Sequence, residues 1–362
     1  SASKAWHAWS RENDIDDADG GSHRLLPLLY RNLQRHSIAD PDLDRLKGVY
    51  RQTWYRNRIS MHAAAGVLRA LEAAGIETMV LKGTALAIEQ YGESGVRPMN
   101  DIDIMVHTPR AEQAAAVLHA AGFRAKLQHD RLGRATEVFH AIGFTNEAGV
   151  GIDLHWHLLE ECRQPDADDS FWADSHPLEV DGAATRALSA TDQLLHVCVH
   201  GSRWDPVPPI RWAADAYTLI ARNADSIDWK RLVREARRRR LTLNLGGCLT
   251  YLREELNASV PEDVLEQLRR SRTSRLERWD YRAQGAQNTL PWLITRYVTR
   301  YLRLSQGRPW WKQARDFPVY LQQMWGVESA WQVPRDAIRR VIRRARQAGF
   351  RPWRKVPSSP IS

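Results

Sequence analysis

The chain has 362 residues, enough for two domains with ordinary cores. Its hydrophobic share of 43% and charged share of 26% are those of a soluble globular protein, and no apolar run approaches the roughly 20 residues that a membrane helix needs. A formal net charge of +9 points to polyanionic partners or to an Arg- and Ala-rich genome.

Cys162, Cys198 and Cys248 form no C-x-x-C pair, which argues against a disulfide framework and a zinc knuckle. The N-terminal residues carry no basic region followed by an apolar stretch, so a reducing cytoplasm is the expected home.

In chain order, residues 4–75 read mainly as helix. Leu25 to Leu33 is apolar at helical spacing, Ala39-Asp40-Pro41-Asp42 has the chemistry of a helix start, and Tyr50 to Ala74 is amphipathic and closed by Gly75. Glu77 to Leu81 is then a short apolar run ending at Gly83, with a helix expected over Ala85 to Tyr91. Gly92 to Gly95 is a loop, Asp101 to Val106 alternates as a strand, and Pro109 to Ala121 is a helix ended by Gly122. Glu137 to Thr145 and Val150 to Leu158 are two more strands, joined by the turn Asn146-Glu147-Ala148-Gly149. Pro165 to Pro177, rich in Asp and Pro, reads as a linker. From Thr191 the period is helical, over Asp192 to His200, Ile210 to Arg222, Trp229 to Arg240, Leu241 to Leu256 and Glu262 to Arg270. The expected fold class is α+β: a small mixed sheet over 76–162, N-terminal helices over 1–75, a helical domain over 178–270 and a basic, Trp-rich helical extension over 271–362.

The chemistry concentrates on the strands. A period of two puts Ile102, Ile104 and Val106 on one face of their strand and Asp101 and Asp103 on the other. Two carboxylates about 7 Å apart on one face repel unless a cation or a basic group lies between them. Mg²⁺, with Mn²⁺ as an alternative, suits such oxygen ligands. Asp153, in Gly151-Ile152-Asp153-Leu154-His155-Trp156-His157-Leu158, completes a three-carboxylate site if the two strands are neighbours. There it would bridge a second metal or take the proton of an attacking hydroxyl. Lys82-Gly83-Thr84 supplies a phosphate cradle: glycine admits close backbone approach, Thr84 adds a hydroxyl, and the next helix aims amides at anions. Lys82 and Arg97 would neutralise phosphates or balance the carboxylates.

Lys82-Gly83-Thr84, Arg97-Pro98-Met99-Asn100-Asp101-Ile102-Asp103 and Ile152-Asp153-Leu154-His155-Trp156 resemble the signature of an uncharacterised bacterial nucleotidyltransferase family in the DNA polymerase beta-like superfamily. The resemblance continues through Leu194-Leu195-His196, His200, Arg211-Trp212-Ala213-Ala214-Asp215 and Asp228-Trp229, covering residues 20–270. Gly83-Thr84 departs from the superfamily's glycine-glycine or glycine-serine. The resemblance implies a polymerase beta-like core, Mg²⁺-dependent transfer of an NMP from an NTP, and release of pyrophosphate to leave a modified acceptor of unknown identity. It makes Asp101, Asp103 and Asp153 the catalytic metal ligands, with Lys82, Gly83, Thr84, Arg97, His155, His200 and Arg211 around the nucleotide.

Competing readings exist for several of these residues. His155 would orient Asp153 or touch the triphosphate, while His155 and His157 together also fit a polar strand face bonded to neighbouring carboxylates. His196 and His200 have the spacing of a zinc pair but lack the Glu of H-E-x-x-H, and Arg211 and Asp215, one turn apart, read as an ion pair. Arg335, Arg339, Arg340, Arg343, Arg344, Arg346, Arg351, Arg354 and Lys355 face one acid, Asp336, and are interleaved with tryptophans. That segment suits RNA, an anionic membrane surface or an acidic partner, or is a solvated helical extension. A degenerate nucleotide-, peptide- or RNA-binding module is the alternative to an enzyme, and a toxin-like modifier of tRNA or protein would share the same chemistry.

Overall fold

The computed structural model describes residues 2–126, 136, 139–201, 210–285 and 290–348. The chain divides into two compact units, 1–287 and 288–362.

The first unit is built on a mixed seven-stranded sheet: β1 (Thr78–Val80), β2 (Asp101–Val106), β3 (Arg124–Ala125), β4 (Ala141–Thr145), β5 (Gly151–His155), β6 (His176–Val180) and β7 (Ala183–Ala187), in the order β3-β4-β5-β2-β1-β7-β6. β2 runs parallel to β5 and antiparallel to β1, and β1 runs parallel to β7. The α+β class expected from the sequence is the one found.

The alternation of β2 divides the core. Ile102, Ile104 and Val106 join Ile152 and Leu154 of β5 on one face, covered by Leu68 and Leu71 of the Leu43–Ala73 helix and Leu118 of the Ala111–Ala120 helix. Met105, on the opposite face with Asp101 and Asp103, packs with the helical half, including Leu194 and Leu195 of the Ala190–Gly201 helix and Leu219 of the Arg211–Arg222 helix. The acidic face of β2 is therefore the one turned toward the helical half.

Most helices match their sequence patterns within a residue or two, the long helix beginning earlier, at Leu43, and four further features differ. The helix expected over Ala85 to Tyr91 is one α-turn, Lys82–Ala85, followed by a widened π-type turn, Leu86–Tyr91. The segment read as a linker carries the Asp169–Ala173 helix and opens β6. Its Asp168 is buried and accepts from His157 Nδ1 at 2.6 Å and from the Leu158 amide at 3.0 Å, so acids that resemble linker composition are tied into the fold. The strand expected over Glu137 to Thr145 is Ala141–Thr145, and 137–138 lie outside the described residues. The β6–β7 hairpin was not anticipated. It turns on Asp181-Gly182, both at positive φ, and Asp181 accepts from Arg58 and His62 of the long helix.

The second unit holds the helices Leu290–Leu304, Trp310–Trp325 and Val333–Ala348. The Tyr301 ring sits 5.1 Å from those of Phe317 and Tyr320, and its hydroxyl donates to the Gln313 carbonyl at 2.8 Å.

Candidate active site

The parallel register of β2 and β5 sets Asp103 directly opposite Asp153, and Asp101 opposite Gly151. Same-face neighbours on adjacent strands lie only about 5 Å apart, so the pairing brings the three carboxylates together. Ligand atoms of Asp103, Asp153 and His155 all lie within 4.8 Å of one another.

Their environments differ. Asp103 is buried, and its Oδ1 accepts from both Lys82 Nζ at 2.7 Å and His155 Nε2 at 2.9 Å. Burial pushes its acidity the other way, but Lys82 and His155 outweigh that and hold the carboxyl well below the usual carboxylate range. Asp101 accepts no hydrogen bond among the described residues. Burial, with Asp103 and Asp153 adding to it, pushes its carboxyl up to about 6 against the partial relief given by Lys82 and Lys126. The cluster thus holds more negative charge than its own lysines compensate.

His155 bonds Asp103 and not Asp153 as expected. It lies opposite Met105, one same-face step from Asp103, and its ring reaches across to that neighbour. Its Nδ1 is buried and finds no partner among the described residues.

Lys82 is placed by β1. The Leu81 amide donates to the Asp103 carbonyl at 3.0 Å, extending the ladder one residue, and Lys82 then turns the chain at φ +39°. A positive φ at a non-glycine residue is strained, and such strain clusters at functional sites. A larger residue at Gly83 would force its neighbours to shift: a Cβ there would meet Arg97 Nη1 at 2.6 Å and Met99 Cγ at 3.0 Å. Thr84 is buried with its hydroxyl directed at the Met99 sulfur, 3.6 Å away, and not held out for a phosphate as expected.

Arg97 makes a buried fork with Asp215, through Nε at 3.0 Å and Nη2 at 2.9 Å, and Tyr91 donates to the same carboxylate at 2.8 Å. The ion pair expected between Arg211 and Asp215 is replaced by this one. Arg211 instead donates to the Pro98 carbonyl at 2.6 Å, and neighbouring Arg97, together with burial, lowers its guanidinium to about 10. Both arginines therefore brace the segment leading into β2. His200 lies exposed near the end of the Ala190–Gly201 helix, its ring 6.1 Å from that of His196.

Two contributors escaped sequence reasoning. Asn57, on the long helix, donates to the Ser94 and Arg97 carbonyls at 2.5 and 2.8 Å and accepts from the Met99 amide at 3.2 Å, clamping the approach to β2. Lys126, just beyond β3, uses the space opposite Asp153: Gly143 pairs with Asp153, and a Cβ on it would lie 3.0 Å from Asp153 Oδ1 and 3.2 Å from Lys126 Nζ. A glycine in mid-strand often marks such a close approach, and this was the one available signal.

Carboxylates on adjacent strands beside a glycine turn and flanking lysines are the parts of a nucleotidyl-transfer site. The chain belongs to the uncharacterised nucleotidyltransferase family, whose model matches residues 21–257, and it is accordingly a transferase. No curated protein matches it in sequence. Among solved structures it is similar to the antibiotic-resistance factor ANT(2'')-Ia, at 11% identity over 56% of this chain and 95% of that one, with a TM-score of 0.34. It is also similar to an antigenic nucleotidyltransferase-like protein from Paracoccidioides brasiliensis, at 13% identity over 59% of this chain and 94% of that one, with a TM-score of 0.37.

Proposed function

We propose that the chain moves an NMP group from an NTP to a hydroxyl or phosphate acceptor, with Mg²⁺ held by Asp101, Asp103 and Asp153. The observation that carries this reading is the register that sets Asp103 beside Asp153, with Asp101 on the same face and its carboxyl pushed up to about 6 by burial and the other two acids in spite of Lys82 and Lys126. The donors suit the ion: the carboxylates are hard oxygen ligands, and those of Asp101 and Asp153 accept no other hydrogen bond among the described residues. When bound, Mg²⁺ would neutralise the triphosphate and stabilise charge developing on it.

The protein's own groups do the rest. The backbone at Gly83 and Thr84 approaches the phosphates, and Lys82 and Lys126 flank the carboxylates with ammonium groups for phosphate oxygens. Asp153 receives the proton as the acceptor oxygen attacks the α-phosphorus and the bond to the β-phosphate oxygen breaks, releasing pyrophosphate. His155 fixes the Asp103 carboxylate. Arg97 and Arg211 act by positioning Gly83 and the entry to β2, and the exposed His200 would contact the base or sugar.

Incubation with α-labelled NTPs, Mg²⁺ and candidate acceptors tests this, with label expected in product or protein. Asp101→Asn combined with Asp103→Asn should lower release of pyrophosphate by at least roughly 100-fold while circular dichroism stays unchanged. Parent-level turnover in that variant would remove the site assignment.

A further inference from the structure

We propose that the Val333–Ala348 helix docks the protein on anionic lipid, lying along a membrane surface. Its inward face is committed within its own unit: Val333 is buried, and Arg340 pairs with Asp336 at 2.8 Å and covers the Trp325 ring at 5.0 Å. The outward face repeats at helical spacing as Arg335, then Ile338-Arg339, then Ile342-Arg343, all exposed. Ile338 and Ile342 are 61% and 47% exposed, and Trp331, just before the helix, is 76% exposed. Arg335, Arg339 and Arg343 make no ion pair or hydrogen bond among the described residues.

This pattern joins unspent positive charge to apolar side chains held in water one turn apart. The arginines complement an anionic surface of any kind. The isoleucines choose between surfaces: nucleic-acid bases stack on aromatic rings and gain little from aliphatic ones, whereas the boundary between headgroups and acyl chains takes aliphatic and tryptophan side chains while leaving arginine at the phosphates. No helix among the described residues is long and apolar enough to cross a membrane, so the contact is along the surface. This inference is independent of the chemistry at Asp103.

Co-sedimentation of the full chain with sucrose-loaded vesicles tests it. Binding is expected to vesicles of equimolar phosphatidylcholine and phosphatidylglycerol, and not to phosphatidylcholine alone. Ile338→Ser with Ile342→Ser, at exposed positions that leave the fold intact by circular dichroism, should weaken binding about tenfold. Arg339→Glu with Arg343→Glu should weaken it at least about tenfold. Absence of binding to the anionic vesicles at low salt would overturn the proposal, as would serine variants that bind like the parent. Binding of polyuridylate that the serine changes leave intact, without vesicle binding, would assign the surface to nucleic acid instead.

Discussion

Asp101 is where the cost of gathering three carboxylates is visible. Burial and its two acidic neighbours push it up to about 6, so the folded protein holds a proton there more tightly than the unfolded chain, whose ordinary value is near 3.8. The sign follows by linkage. Asp101 adds stability to the metal-free protein below about pH 3.8 and loses that contribution as pH rises through about 6. A divalent cation competes with the same proton, so Mn²⁺ affinity followed by electron paramagnetic resonance should fall up to about tenfold per pH unit below about 6 and level off above it. A flat profile would take Asp101 out of the ligand set. His155→Ala should cost about 10–100-fold in metal affinity, because it frees the Asp103 carboxylate that the ring now orients. Lys126→Met should weaken NTP binding more than Lys126→Arg does, and equal losses would mean that side-chain length and not charge matters at that position.

The elements carrying these residues are braced from behind, and the braces can be tested by stability. Arg97→Ala would leave the Asp215 carboxylate buried without its ion-pair partner and held, among the described residues, only by the Tyr91 hydroxyl, at a cost of about 3–5 kcal/mol by urea denaturation, of which Arg97→Ala with Asp215→Ala should recover part. Gly83→Ala must displace Arg97 or Met99, at about 1–3 kcal/mol, and should weaken NTP binding as well. Much of this architecture was legible beforehand. The period of β2 placed Asp101 and Asp103 on one face, and that of β5 placed Asp153 and His155 together, because a half-buried strand writes its burial into alternate residues. Contacts between distant segments were not legible. Nothing local in Asp215 names Arg97 as its partner over Arg211, and nothing in Asn57 shows that it clamps Met99. The β6–β7 hairpin did carry its own signal, an Asp-Gly turn between alternating residues, obscured by the Asp- and Pro-rich stretch before it.

At the scale of the molecule, all the proposed nucleotide and metal ligands lie within residues 1–287. That unit expressed alone should bind Mn²⁺ and NTP as the full chain does, and a loss of affinity would show that residues 288–362 contribute to the site. The register between β2 and β5 has a further consequence, for the timing of assembly. The stretch between Asp103 and Asp153 includes the Ala111–Ala120 helix, β3 and β4, so their encounter is non-local and must await closure of the sheet, whose β1 is itself joined to the late strand β7. A nascent or unfolded chain has no paired carboxylates with which to capture a cation. Ion binding at the proposed centre would therefore be selective for the finished fold, stabilising it by mass action by about 2.7 kcal/mol at one hundred times the dissociation constant and so raising the melting temperature. A thermal shift on adding Mn²⁺ would report that the centre is assembled without any acceptor being known.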